Sequence, residues 1–242
     1  MKGEKFMIKI KNYSKSYDGK NFIIKDLNLN IEKGDLFGFI GHNGAGKTTT
    51  IKSIVGILDF EEGDILIDGN SIKNDPITCK KIMAYVPDNP EIYENLTGLQ
   101  YINFVSDLFN VSSDVRKPLI EKYCKELELE GVLNDLVSSY SHGMKQKLVL
   151  IASLVHQPKI MILDEPFVGL DPKASFNLKK IMNDFCANGG SIFFSTHVLD
   201  VAQKLCNKIA IIKNGQIVVL GDTQTLTETQ SLEEIFMEQS ND

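Results

Sequence analysis

The feature that most limits what this chain can fold into is Gly41-His42-Asn43-Gly44-Ala45-Gly46-Lys47-Thr48, a run of the form G-x-x-x-x-G-K-[ST]. It follows the apolar segment Leu36–Ile40 and opens Lys47–Leu58, where Ile51, Ile54, Val55 and Leu58 recur at i, i+3, i+4 and i+7. That pattern predicts strand, loop, helix, the context in which such a run cradles phosphate. Glycines let the backbone N–H groups of Gly41, Asn43, Gly44, Ala45 and Gly46 converge, and the helix amino terminus adds a positive dipole end. Lys47 is then placed to reach β- and γ-phosphates, and the Thr48 hydroxyl to ligate Mg²⁺.

A second apolar segment, Ile160–Leu163, ends in two acids, Asp164 and Glu165. In an open α/β sheet, ligands gather at the carboxyl ends of the strands. Asp164 suits the Mg²⁺ shell there, and Glu165 suits a group that orients and polarises a water for in-line attack. His197 follows the strand-like Ser191–Thr196, at a third such end. Taken alone, it reads as a histidine at a helix start with no ligand.

The remaining chain alternates. Phe6–Ile10, Phe22–Leu29 and the short Ile65–Ile67 read as strands, and Asn214-Gly215 between Ile209–Ile212 and Ile217–Leu220 reads as a hairpin turn. From about residue 88 to 157 the pattern is helical, with a capping box at Thr97–Gln100, periodic runs at Leu119–Leu129 and Met144–Val155, and a polar break at Ser138–Gly143. Asp171-Pro172 reads as an N-cap followed by proline at the first helical position, Gly189-Gly190 as a stop, and Ser231–Glu234 as another capping box. Strands alternating with helices predict an α/β fold with a largely parallel sheet.

Length and charge narrow the class. At 242 residues the chain is one large domain or a domain with an inserted lobe. Its longest apolar run, Leu148–Val155, falls far short of the roughly 18 residues of a membrane span. No apolar run follows the first lysines, so no secretory leader is expected. A formal charge of −6 argues against nucleic acid as a partner. Cys79, Cys124, Cys186 and Cys206 form no C-x-x-C pair and are expected to be buried free thiols.

Taken together, these residues resemble the nucleotide-binding subunit of ABC transporters over about Phe6 to Leu220. Ser139-Tyr140-Ser141-His142-Gly143-Met144-Lys145-Gln146-Lys147 looks like the family's signature loop, L-S-G-G-Q, upstream of Asp164-Glu165 in the family's order. The resemblance implies a P-loop NTPase core (residues 1–87 and 158–220) with an antiparallel β subdomain. It also implies an inserted helical subdomain at 88–157 and a short helical tail at 221–242, all one nucleotide-binding domain. Gly41–Thr49 corresponds to the Walker A loop, so Thr49 joins the nucleotide contacts. Asp164 and Glu165 correspond to the Walker B aspartate and catalytic glutamate, and His197 to the switch histidine. Gly169-Leu170-Asp171 corresponds to the D-loop, although Asp171 also reads as a plain helix cap. Tyr17 stands where an aromatic stacks on adenine, with Tyr13 the other candidate.

The resemblance further implies ATP and Mg²⁺ as cofactors. It implies a second copy, whose Ser141 and Gly143 meet the γ-phosphate held by Lys47 and Thr48. It implies a separate integral membrane subunit docked on residues 88–109, and a cytoplasmic location on the inner face of the membrane. Three departures stand out. The signature has Tyr140, His142 and Met144 for Leu, Gly and Gln; the Q-loop glutamine, a Mg²⁺ contact, is Asp88; and His42 replaces a frequent proline, pointing away from the phosphate. His156 reads as helix-end packing. The S-x-G-M-K-Q-K form, with Asp88 and Gly169-Leu170-Asp171-Pro172, resembles the ATPases of multidrug, antibiotic and bacteriocin exporters. An ABC ATPase of translation or DNA repair is the alternative. It fits less well, because those carry a second domain with a charged linker, or coiled-coil or zinc insertions. A non-hydrolysing, nucleotide-gated module conflicts with the presence of Glu165 and His197.

Overall fold

The structure, a computed structural model, describes residues 6–240. Residues 1–5 and 241–242 of the expected domain lie outside the described residues. In chain order come β1 (Phe6–Ser16), β2 (Phe22–Glu32), β3 (Leu36–Ile40), α1 (Lys47–Ile54), β4 (Glu62–Ile67), β5 (Asn70–Ser71), α2 (Pro76–Lys81) and β6 (Met83–Val86). The middle holds α3 (Gly98–Leu108), α4 (Ser113–Glu126) and α5 (His142–Val155). Then follow β7 (Ile160–Asp164), α6 (Pro172–Ala187), β8 (Ser191–Thr196), α7 (Leu199–Leu205), β9 (Lys208–Lys213), β10 (Gln216–Asp222), α8 (Thr223–Leu226) and α9 (Leu232–Ser240).

The larger sheet has the order β10-β9-β3-β8-β7-β6 and is parallel apart from its β10 edge. Its central strands are buried throughout, so their side chains must satisfy an apolar layer on each face. Leu36 and Ile40 of β3, Met161 and Leu163 of β7, and Ile192 and Phe194 of β8 join a core with α4, α5, α6 and α9. The alternate residues Phe37, Phe39, Ile160, Ile162 and Phe193 join a second core with α1 and the smaller sheet. That smaller sheet, β2-β1-β4-β5, is antiparallel. The architecture is the expected α/β fold with a parallel sheet, an antiparallel sheet and helices between β6 and β7.

Several boundaries differ from the sequence reading. The helix expected over Lys47–Leu58 ends at Ile54: Gly56 turns to φ +66°, and the N–H groups of Ile57 and Leu58 both close on the Lys52 carbonyl. The first strand runs on to Ser16 through an irregularity at Asn12, which has φ +46°. The Leu119–Leu129 run is displaced: α4 starts at Ser113, carries Pro118 in its second turn, and stops before Glu128, at φ +56°. α2 and β6 were not legible. Each is six residues or fewer, too short to show a period, although Asp75-Pro76 repeats the N-cap and proline pattern of Asp171-Pro172. The Asn214-Gly215 turn has φ +51° and +76°, the paired positive values of a type I′ hairpin. All four cysteines are free thiols, three buried and Cys186 half-buried.

Candidate functional site

The parallel register decides where the site forms. Ile40 of β3 lies beside Thr196 of β8, and Asp164 of β7 lies beside Ser195. Val86 of β6 lies beside Leu163. Gly41, Asp88, Glu165 and His197 therefore all leave the same edge of the sheet. They reach it from sequence positions up to 156 residues apart.

At that edge the loop Gly41–Gly46 bends back over the start of α1. Gly44 and Gly46 take φ +82° and +112°, and a Cβ on Gly46 would strike Ile24. A Cβ on Gly41 would lie 2.6 Å from the Ile212 carbonyl oxygen. Glycine is thus required at both ends of the loop, once by conformation and once by contact. Gly41, Ala45, Gly46 and Lys47 are buried, whereas His42, Asn43, Gly44 and Thr48 face outward. The buried Lys47 ammonium donates to the Gly41 carbonyl (2.8 Å) and the His42 carbonyl (3.3 Å), and lies 3.6 Å from Glu165 Oε1.

The acids are arranged unequally. Asp164 is 2% exposed and accepts a hydrogen bond from Ser195 Oγ, which in turn accepts the Glu165 N–H. Glu165 sits at φ +48°, and its carboxylate lies 3.0 Å from His197 Nδ1. Asp88 lines the same cleft; partial burial, then the charges of Asp164 and Glu165, push its carboxyl above the usual range. Burial, then the charges of Asp164 and Asp88, push the Tyr85 phenol up to about 12. A cleft of about 490 Å³ is lined by Ile23, Asn43, Gly44, Gly46, Lys47, Thr48, Thr49, Asp88, Asp164 and Glu165. Among the described residues, no group of three or more His, Cys, Asp or Glu side chains is set to hold a metal by itself. One buried carboxylate and a threonine hydroxyl facing a phosphate cradle suit Mg²⁺, which keeps waters and takes ligands from substrate phosphates.

The two tyrosines are no longer equivalent. Tyr13 is fully buried and bonds Ser53 Oγ at 2.9 Å, so it cannot stack on a nucleotide base. Tyr17 is 60% exposed, within 3.2 Å of Thr49 Oγ1, beside the phosphate loop. The signature-like turn is built differently. Ser141 caps α5 by accepting the Met144 N–H, and a Cβ on Gly143 would run into the Gly169 carbonyl oxygen. Asp171 caps α6 through the Ala174 N–H at 2.8 Å and also pairs with Lys147 at 3.0 Å. These bonds hold its carboxyl below the usual range. Ser141, Gly143 and Asp171 do not line the cleft that holds Lys47.

Sequence reasoning missed Ser195, whose hydroxyl holds both Walker-type acids. A serine inside an otherwise apolar strand end was the available signal. It also gave His42 no partner; the ring packs tilted against Phe236 of α9, with centroids 4.6 Å apart. His156 packs face to face on Phe109 at 3.8 Å, as expected of a helix-end residue.

The sequence profile of the ABC transporter family matches residues 24–168. The chain is 30% identical over 237 residues to the ABC-type transporter ATP-binding protein EcsA of Bacillus subtilis, covering 96% of each chain. It is 34% identical over 233 residues to the lantibiotic transport ATP-binding protein SrtF of Streptococcus pyogenes, covering 96% of this chain and 97% of that one. Among solved structures, the ATP-binding subunit of an ABC transporter superposes with a TM-score of 0.92 at 31% identity, covering 97% of this chain and 99% of the other.

Proposed function

The chain belongs to the ABC transporter family as an ATP-binding, ATP-hydrolysing subunit, and from that premise we propose that two copies close head to tail on ATP and drive export through a separate membrane-spanning subunit. The observation that carries the reading is the separation of the two half-sites. Lys47, Thr48 and Glu165 share one cleft, while Ser141 and Gly143 do not line it. A phosphate held by the first set meets the second set only when another copy supplies it.

In the proposed mechanism, the loop N–H groups and Lys47 bind the β- and γ-phosphates, so Lys47 exchanges its bonds to the Gly41 and His42 carbonyls for phosphate oxygens. Thr48 and Asp164 would hold Mg²⁺, with Asp88 beside them, and the ion would supply charge neutralisation at the phosphates. Glu165 accepts the proton of the attacking water. His197, 3.0 Å from that carboxylate, holds it toward the γ-phosphate. Tyr17 stacks on adenine, with Thr49 beside it. Asp171, at the D-loop position, contacts the partner copy. Fixed donors facing the developing negative charge supply most of the rate.

Docking to the membrane subunit falls to the cleft of about 760 Å³ over residues 89–109, lined by Ile92, Tyr93, Tyr101, Phe104 and Leu108. Tyr93 and Phe104 meet edge to face at 5.4 Å yet are 57% and 40% exposed, a pair ready to receive an apolar helix. No helix among the described residues is long and apolar enough to cross a membrane, so a span is sought in a partner. Export rests on the signature departures and on the likeness to a lantibiotic transport protein. The test has two arms. Purified chain turns over MgATP and Lys47→Ala does not; equal turnover in both would overturn the site. Tyr93→Asp loses co-purification with a polytopic membrane protein while keeping its melting temperature. Retained co-purification would overturn the docking face.

A further inference from the structure

We infer that Phe236, on the carboxyl-terminal helix α9, is a positioning residue for the nucleotide: through the His42 ring it sets the shape of the phosphate loop. The proposal rests on the ATPase reading of that loop but adds a control outside it.

His42 is the second residue of the loop, and its backbone carbonyl is busy. It accepts the Ala45 N–H at 3.1 Å, which closes the loop's turn, and it accepts Lys47 Nζ at 3.3 Å. The His42 side chain leaves the loop and meets helix α9. The His42 and Phe236 rings lie 4.6 Å apart and 57° from coplanar, within the range of attractive aromatic pairs.

Phe236 is in turn fixed by a docked helix. Leu232 and Ile235 are buried in the main core beside it. Ser231 and Glu234 form a reciprocal capping box at the start of α9. The Leu232 N–H donates to Gln203 on α7, the helix that follows His197. At the other end, Lys213 Nζ donates to the Gln239 carbonyl. Lys213 ends β9, whose preceding residue Ile212 lies directly under Gly41. Helix α9 therefore touches the loop from above through His42, its floor through β9, and the switch segment through α7. Rotating His42 moves a carbonyl that Lys47 and Ala45 both use, so loosening α9 changes the donors presented to phosphate.

An aromatic pair of this geometry shifts an equilibrium by about 2- to 10-fold. The experiment uses the full chain, with MgADP affinity by calorimetry and the KM and kcat for MgATP. Phe236→Leu keeps buried apolar volume, and with it the docking of α9, while removing the ring. It is expected to weaken MgADP and raise KM by about 2- to 10-fold, with kcat within about twofold and the melting temperature within a few degrees. His42→Ala is expected to do the same, and the double variant to be no weaker than either single one. Met237→Ala, an exposed change on the same helix, leaves affinity unchanged. Wild-type affinity in Phe236→Leu, effects that multiply in the double variant, or an equal loss in Met237→Ala would each overturn the proposal. Absence of turnover in the wild-type chain would remove the ATPase reading instead, and the MgADP series would still decide this one.

Discussion

Replacing Glu165 by glutamine tests the chemistry at its centre. The side chain is 13% exposed, with its Oε1 3.0 Å from His197 Nδ1 and 3.6 Å from Lys47 Nζ. Glutamine keeps the shape and an acceptor oxygen but cannot take a proton and carries no charge. Loss of a positioned base is worth about 10²- to 10⁴-fold, or roughly 3–5 kcal/mol of barrier. The ground state moves the other way. At 3.6 Å and an effective dielectric near 20, the gross Lys47–Glu165 attraction is about 4–5 kcal/mol. Most of it is recovered, because Lys47 exchanges the Gly41 and His42 carbonyls for phosphate oxygens in the bound state. Removing the carboxylate also removes a charge that repels the γ-phosphate. Glu165→Gln is therefore expected to bind MgATP at least as tightly as the wild-type chain and to release phosphate about 10²- to 10⁴-fold more slowly. It is also expected to elute as a closed dimer at saturating MgATP. Phosphate release and size-exclusion chromatography at several MgATP concentrations measure all three. Turnover within tenfold of the wild-type chain would refute Glu165 as base, and markedly weaker ATP binding would refute the charge argument.

Two further outcomes follow from packing and burial. Gly143→Ala places a methyl group against the Gly169 carbonyl, so one of the two turns must move. A loss of about 1–3 kcal/mol is expected, read as a drop of roughly 2–12 °C in melting temperature, and a drop under a degree would show that the turns are not in contact. Burial pushes the His156 imidazole down to about 4, and its Nδ1 lacks a hydrogen-bond partner. Both states are neutral above pH 6.5. Below it the unfolded chain takes up a proton that the native chain refuses, so stability falls as the pH drops toward 4. Between pH 7 and 5 that amounts to about 2 kcal/mol, and His156→Leu is expected to flatten the melting-temperature profile there by roughly 4–8 °C; parallel profiles would refute it.

The phosphate loop was legible because its chemistry is local. Three glycines, a lysine and a threonine act within eight residues, and the strand before and the helix after show their periods directly. Asp164-Glu165 and the Asp171 cap were legible for the same reason: each depends on a strand end or helix start visible in its own segment. The choice between Tyr13 and Tyr17 was not. The two are four residues apart, Tyr13 within β1 and Tyr17 just past its end, and only the packing of β1 against β4 and α1 buries the first and leaves the second beside Thr49.

What the sequence determined by itself is the set of candidate site residues and the order in which the chain presents them, since backbone propensity and hydrophobic period are local properties. Their meeting was decided by tertiary structure. The parallel register of β3, β8, β7 and β6 sets Gly41, His197, Asp164 and Asp88 along one edge, and no period in the sequence encodes which strands become neighbours. The same holds for Ser195 beneath the two acids and for Phe236 against His42. Both contacts join residues far apart in the chain, and they form as α9 and β8 bury their apolar side chains in the same core.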